Sequence, residues 1–342
     1  MYKKIISILT AAVVCFLSAF VCSAQTKTIK HTVPVPPKIV FLGDSIAAGY
    51  GLDGYSRENL YACNSYANIL GERYKQVLSD KTDSKMINDA ISGITSYQLL
   101  EHLTNGDFDS ELKDSSAIVV SIGGNDILYT LRKLSEMDLG IDKNTKFSEI
   151  DFKKVSSALG KVFRNLSEMS DNADVAINEF NENLPKIVNA IKKRSHGQII
   201  IQTLYNPLES FTLVKPIQIL ANEKIGILND KIRENANTDD NENYIVSDVA
   251  AKFQGRAEEL TNIEDFDIHP NSEGHKLIAE CVDETIRTKS YFYTETIEVP
   301  DEVDKSDSNV LILIVCGSAF LLIVAACGII IRKRRKKGGE RT

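Results

Sequence analysis

The chain has 342 residues, with 40 Lys and Arg against 47 Asp and Glu and a formal net charge of −7. Once the first 24 residues (two Lys) and the last 11 (seven cations, one acid) are set aside, 31 cations face 46 acids. So acidic a body repels phosphate backbones and anionic lipid, which excludes nucleic-acid binding and charge-driven attachment to a membrane surface.

Residues 1–24 open with Met-Tyr-Lys-Lys, continue as an apolar run over 5–21 and end on small residues at Ser23 and Ala24. That is the layout of a signal peptide, with cleavage expected after Ala24; an uncleaved membrane helix is the alternative. Cys15 and Cys22 follow Val rather than a small residue, which argues against a lipoprotein anchor. Residues 25–37 are polar and hold Pro34, Pro36 and Pro37, so they read as an extended lead-in linker.

The body spans 38–293. Short β-rich runs at 38–42, 85–88, 117–122, 198–204 and 244–246 alternate with amphipathic stretches at 65–78, 96–103, 174–194, 216–235 and 271–287. This is the pattern of a parallel sheet flanked by helices. Four of the strands run into turn chemistry: Gly43-Asp44, Ser92-Gly93, Gly123-Gly124-Asn125-Asp126 and Asn206-Pro207. The carboxyl edge of such a sheet is where an α/β protein keeps its crevice. Residues 127–194 show helical patterning and no strand, far more than a crossover needs, and form a helical insertion that is either a lid over the site or an embellishment on its rim.

Beyond the body, 294–309 is acidic and reads as a stalk. Residues 310–331 carry no charge and match the length of a transmembrane helix, and Arg332, Lys333, Arg334, Arg335, Lys336 and Lys337 follow directly. Cations stay cytoplasmic, so the expectation is a single-pass cell-membrane protein with its body extracellular and a short basic tail, 332–342, inside.

Ser45 directly follows the apolar strand Ile39-Val40-Phe41-Leu42. A serine hydroxyl becomes a nucleophile only when a base takes its proton. Of His31, His102, His196, His269 and His275, only His269 sits in an irregular segment, Asp265-Phe266-Asp267-Ile268-His269-Pro270, ahead of a helix that Asn271 caps. Asp267 or Asp265 is near enough to orient its ring. Gly93 and Asn125, both at strand ends, can supply hydrogen-bond donors to an oxyanion.

Taken together and in this order, Gly43-Asp44-Ser45, Gly93, Gly123-Gly124-Asn125-Asp126 and Asp267-Ile268-His269-Pro270 resemble the four sequence blocks of the GDSL/SGNH hydrolases, the lysophospholipase L1-like acylhydrolases among them, over roughly 38–286. The resemblance implies a flavodoxin-like three-layer α/β/α sandwich with a mostly parallel five-stranded sheet. It also implies a catalytic set of Ser45 as nucleophile, Gly93 and Asn125 as oxyanion donors beside the Ser45 amide, and His269 as base. No metal or organic cofactor is implied. The commoner family spacing puts the acid three residues before the histidine, where this chain has Phe266; Asp267, two residues before, is the choice, with Asp265 left open. Cys63 and Cys281 are the cysteines outside the two apolar termini. The implied fold places the first and last helices on one face, so a disulfide between them is expected as an alternative to two buried thiols.

The expected activity is hydrolysis of an O-acyl or thio-ester, on an acylated glycan or a (lyso)lipid. Two other readings stand beside it: an inactive surface-displayed module that binds glycan or protein, and a metal site built from Asp265, Asp267, His269 and His275. The oligomeric state has no signature in the sequence.

Overall fold

The computed structural model describes residues 25–78, 85–128, 152–210, 215–238, 241–265 and 267–299. Five strands make the central sheet: β1 (Lys38–Gly43), β2 (Lys85–Asn88), β3 (Ala117–Ser121), β4 (Gln198–Gln202) and β5 (Ile245–Ser247). They are hydrogen-bonded in the order β2-β1-β3-β4-β5, and every pairing is parallel. In numbers this is 2-1-3-4-5, the doubly wound order whose switch point lies between β1 and β3. From β1 the chain goes out to β2 at the sheet edge and returns past β1 to β3, so the loops after β1 and β3 part and leave a crevice between them.

Side-chain alternation assigns the two faces. Ile39, Phe41 and Val119 point into one core with Tyr66, Leu70 and Tyr74 of α1 (Tyr66–Leu78) and Ile278, Val282 and Ile286 of the last helix, α5 (Ser272–Ile286). Val40, Leu42, Ile118 and Val120 point into the other. There they meet Leu99 and Leu103 of α2 (Ser96–Asn105), Phe180, Leu184 and Ile187 of α3 (Phe152–Lys192) and Leu228 and Ile232 of α4 (Lys215–Glu234). Each fully buried aliphatic side chain contributes about 1.5–3 kcal/mol, and burial on both faces is why these strands read as unbroken apolar runs.

The strands and helices expected from the sequence are all present, with ends shifted by a few residues. The largest difference is α3, which starts at Phe152 and extends well before the expected 174. Ile177, Phe180, Leu184, Ile187 and Ile191 make its later part a covering layer of the sheet and not a lid. Residues 129–151, the rest of the insertion before α3, lie outside the described residues.

The lead-in and the start of the stalk differ from expectation. Gln25–Val33 and Tyr291–Val299 are strands that pair as a two-stranded sheet. The first is rich in Thr and the second in Tyr, Phe and Thr, residues that suit a pleated strand, and each supplies the other with backbone partners that a free linker lacks. The His31 and Tyr293 rings stack at 4.7 Å, and Lys30 Nζ lies 3.9 Å over the Phe292 ring. Residues 30–293 form one compact unit, and among the described residues 25–29 and 294–299 fall outside it.

Among the described residues no helix is long and apolar enough to cross a membrane; the apolar segments 1–24 and 310–331 and the basic tail lie outside them. Cys63 and Cys281 are both buried and free, so of the two alternatives the structure has two buried thiols and no disulfide between them. Cys63 Sγ faces the carbonyl oxygens of Ala48, Gly49 and Leu60, each at 3.8 Å, whereas Cys281 Sγ lies 3.3 Å from Ser247 Oγ. Each thiol packs against its own neighbours.

Candidate active site

The site grows from the carboxyl end of β1. Gly43 has φ +133, and a Cβ there would sit 2.0 Å from the Ser121 carbonyl oxygen. Only glycine lets the chain turn here while β1 and β3 stay this close. The Asp44 N–H then donates to that same oxygen at 3.0 Å. Asp44 caps the short helical turn Ser45–Ala48, its Oδ1 accepting from the Ile46 N–H at 3.1 Å, so the cap fixes Ser45 at the mouth of the crevice. Burial pushes the Asp44 carboxyl up to about 7, against the lowering effects of the Ile46 amide and His269.

The opposite partner comes from the loop before α5. Its Asn262 N–H donates to the His269 carbonyl at 3.0 Å and the Asp267 N–H to the Asn262 carbonyl at 3.2 Å, closing residues 262–269 on themselves. The Tyr205 hydroxyl, at the end of β4, donates to the Ile268 carbonyl at 2.8 Å. Held in this way, His269 Nε2 lies 3.0 Å from Ser45 Oγ across 224 residues of chain. Its Nδ1 lies 2.5 Å from Asp267 Oδ1, which also accepts the His269 N–H at 3.1 Å.

Burial raises the Asp267 carboxyl, but the His269 ring and amide and the Asn262 side chain outweigh it and hold the group below its ordinary value. Asp267 is therefore ionised where it meets the imidazole. Asp265 is exposed, in the short 3-10 turn Ile263–Asp265. Of the two carboxylates left open by the sequence, Asp267 is the one bonded to the ring.

Asn125 follows β3. Its Nδ2 donates to the Ile94 carbonyl at 2.9 Å, which aims the amide and leaves its second hydrogen available. Gly123, at φ +113, packs so closely that a Cβ would lie 2.8 Å from the Phe180 ring. Asp126 is buried and ties this loop to the next, accepting from the Ser96 N–H at 2.9 Å and the Ser96 hydroxyl at 2.5 Å. The Gly93 turn lies beside the end of β1, where the Ile91 N–H donates to the Gly43 carbonyl at 2.8 Å. Gly93 has φ +92 and open space where a Cβ would stand. Neither its amide nor that of Ser45 has an acceptor among the described residues.

His275 and His102 are engaged elsewhere. His275 is buried in the first turn of α5, its Nδ1 accepting the Tyr66 N–H at 3.2 Å, and burial drives its pKa down to about 3. His102 pairs with Asp107 at 2.6 Å. Among the described residues no three His, Cys, Asp or Glu lie together as a metal site would require.

Ser45, Asn125 and His269 share the wall of one pocket, and Ile127, Leu128, Leu204, Pro207, Leu208 and Ile225 make the rest of it largely aliphatic. Tyr205 and Asn262 also hold the site, and the sequence gives little sign of either. Tyr205 sits just past a strand end, the one signal that points to it; Asn262 acts through its backbone and through a side chain turned to Asp267, which no linear pattern reveals.

The match to the GDSL-like Lipase/Acylhydrolase family covers residues 41–277. The chain is similar to the uncharacterized protein YpmR of Bacillus subtilis (strain 168), with 27% identity over 77% of this chain and 84% of that protein. Among solved structures, the fold is similar to that of an extracellular lipase from Streptomyces rimosus (17% identity, TM-score 0.52, 72% of this chain and 99% of that one). It is similar also to the lipase Lip_vut3 from a goat rumen metagenome (18% identity, TM-score 0.51, 72% and 96%). The chain belongs to the GDSL-like lipase/acylhydrolase family of ester hydrolases.

Proposed function

We propose that the protein is a cell-surface serine esterase that cleaves carboxylic esters through an acyl-enzyme on Ser45. The observation that carries this reading is the continuous relay from Asp267 through His269 to the Ser45 hydroxyl at the mouth of an aliphatic pocket. His269 Nε2 takes the Ser45 proton as Oγ attacks the ester carbonyl, and Asp267 holds the tautomer that leaves Nε2 free and stabilises the imidazolium. Charge on the former carbonyl oxygen is met by the amides of Ser45 and Gly93 and by the Asn125 side chain. The collapsing intermediate releases the alcohol, protonated by His269, and a water activated by the same ring then frees the acid.

The pocket supports an acyl chain longer than acetyl. Its aliphatic side chains reward each buried methylene by about 0.8 kcal/mol, and a two-carbon acyl would leave most of that surface unused. The signal-like start, the apolar segment 310–331 and the cations behind it support a tether that holds the body outside the cell.

The test is hydrolysis of p-nitrophenyl esters of two to twelve carbons. Rates that rise beyond acetyl and vanish in Ser45→Ala are expected. A folded protein that cleaves none of them would favour a binding module on the same fold.

A further inference from the structure

Ser45 and His269 have a second side that the aliphatic pocket does not include. Tyr50, two residues past the turn that carries Ser45, donates its N–H to the Ser45 carbonyl at 3.0 Å. Its ring lies 4.6 Å from the His269 imidazole, tilted by 49°, and 5.2 Å from the Tyr55 ring at 65°. The Tyr55 hydroxyl lies 2.6 Å from Ser92 Oγ, beside Gly93. The two rings therefore make a wall that runs from the imidazole to the turn holding the Gly93 amide, and neither ring lines the aliphatic pocket. Tyr50 is 40% exposed, although an aromatic ring beside a core this large could have been buried.

We propose that Tyr50 and Tyr55 form the subsite for the alcohol half of the substrate and that this alcohol is an uncharged sugar. The inference rests on the esterase reading above. In that reaction the bond from Ser45 Oγ to the acyl carbon forms, the bond from that carbon to the alcohol oxygen breaks, and the Ser45 proton passes through His269 to the departing oxygen. The departing group must therefore lie against His269, and Tyr50 touches that imidazole without lining the acyl pocket.

The chemistry of the wall selects the alcohol. A tyrosine offers an apolar face and a hydroxyl at its edge, which matches a pyranose with a C–H face and a ring of hydroxyls. A plain alkyl alcohol has no use for the polar edge. A phosphate-bearing alcohol is disfavoured by charge: the two loops, 49–59 and 262–269, carry Asp53, Glu58, Glu264, Asp265 and Asp267 against Arg57 as their one Lys or Arg.

The test compares kcat/KM of the full-length chain for glucose 6-butanoate, ethyl butanoate and a butanoyl ester of glycerol 3-phosphate, which share one acyl group. The wild type is expected to prefer the sugar ester to the ethyl ester by about tenfold or more and to disfavour the phosphate ester. In Tyr55→Ala, whose ring is one step removed from the imidazole, the ratio of sugar to ethyl ester should fall about tenfold; circular dichroism checks the fold. Equal rates for sugar and ethyl esters, a preferred phosphate ester, or a ratio unchanged in folded Tyr55→Ala would each overturn the subsite while leaving the esterase reading intact. Hydrolysis of no ester would overturn the esterase reading and the subsite with it. A wild type without sugar preference overturns the subsite even if Tyr55→Ala does not fold, and Tyr55→Phe, which keeps the ring and removes the polar edge, then tests the assignment by the same ratio.

Discussion

Asn125 keeps one amide hydrogen on the Ile94 carbonyl and has the other free at the pocket wall, so its removal should act on the transition state more than on substrate binding. Asn125→Ala is expected to lower kcat by about 10²–10³-fold with KM little changed; a change confined to KM in steady-state assays would contradict the donor role. For the acid, Asp267→Asn should cost about 10⁴-fold in kcat by favouring the wrong tautomer, whereas Asp265→Asn should leave kcat within about twofold. The reverse order would move the role to Asp265. Ser45 and His269 were legible because their types and loop positions are restrictive. The acid was legible only as a preference for Asp267 over Asp265, because which carboxylate folds back onto the ring depends on the Asn262 hydrogen bonds. His275 makes a prediction of a different kind. Its folded pKa of about 3 lies below the usual value of 6.5, so between those values the unfolded chain binds the extra proton and His275 lowers stability as pH falls. Asp44, raised from 3.8 to about 7, acts in the opposite sense over nearly the same window and masks the effect in the wild type. Replacing His275 by Gln, which can still accept the Tyr66 N–H, should therefore gain stability relative to wild type by about 1.4 kcal/mol per pH unit from pH 6 down to 4. Urea titrations of both proteins at several pH values check this, and a constant difference would contradict it.

At the scale of elements, the strands were legible from their unbroken apolar runs, and α5 from the Asn271 cap, whose Oδ1 accepts the Glu273 and Gly274 amides at 3.0 Å. The Thr95 and Gln98 capping box that starts α2 carries an equally local signal. The terminal ribbon was not legible, because each strand finds its partner more than 250 residues away and each alone looks like a polar linker. The same holds for the role of α3. Its apolar periodicity announced a helix, but only the fold shows that Phe180 packs against Gly123, beneath the loop that presents Asn125. Phe180→Ala is expected to destabilise the protein by about 3–5 kcal/mol in denaturant titration. It should also lower kcat through the loosened loop even where the protein remains folded. Full activity in a folded variant would show that Asn125 is held without this contact.

For the molecule as a whole, the parallel order 2-1-3-4-5 explains why residues so far apart in the chain meet. The switch point between β1 and β3 opens the crevice, β1 brings Ser45 to it, β3 brings Asn125, and the chain after β5 returns His269 to the same edge. That convergence was readable from the order of the motifs, because parallel strands put all their carboxyl ends on one side. The proposed tether belongs to this scale too. Deleting 310–342 should move ester hydrolysis from the membrane fraction to the medium, and activity that stays with the membrane would contradict it. If Ser45 is a nucleophile made reactive by His269, a fluorophosphonate will modify it, and intact-protein mass spectrometry after such treatment reads the adduct. A single adduct on Ser45 is expected, absent in Ser45→Ala and formed far more slowly in His269→Ala. A wild-type protein that remains unmodified, or that is labelled equally well without Ser45, would contradict that role of Ser45.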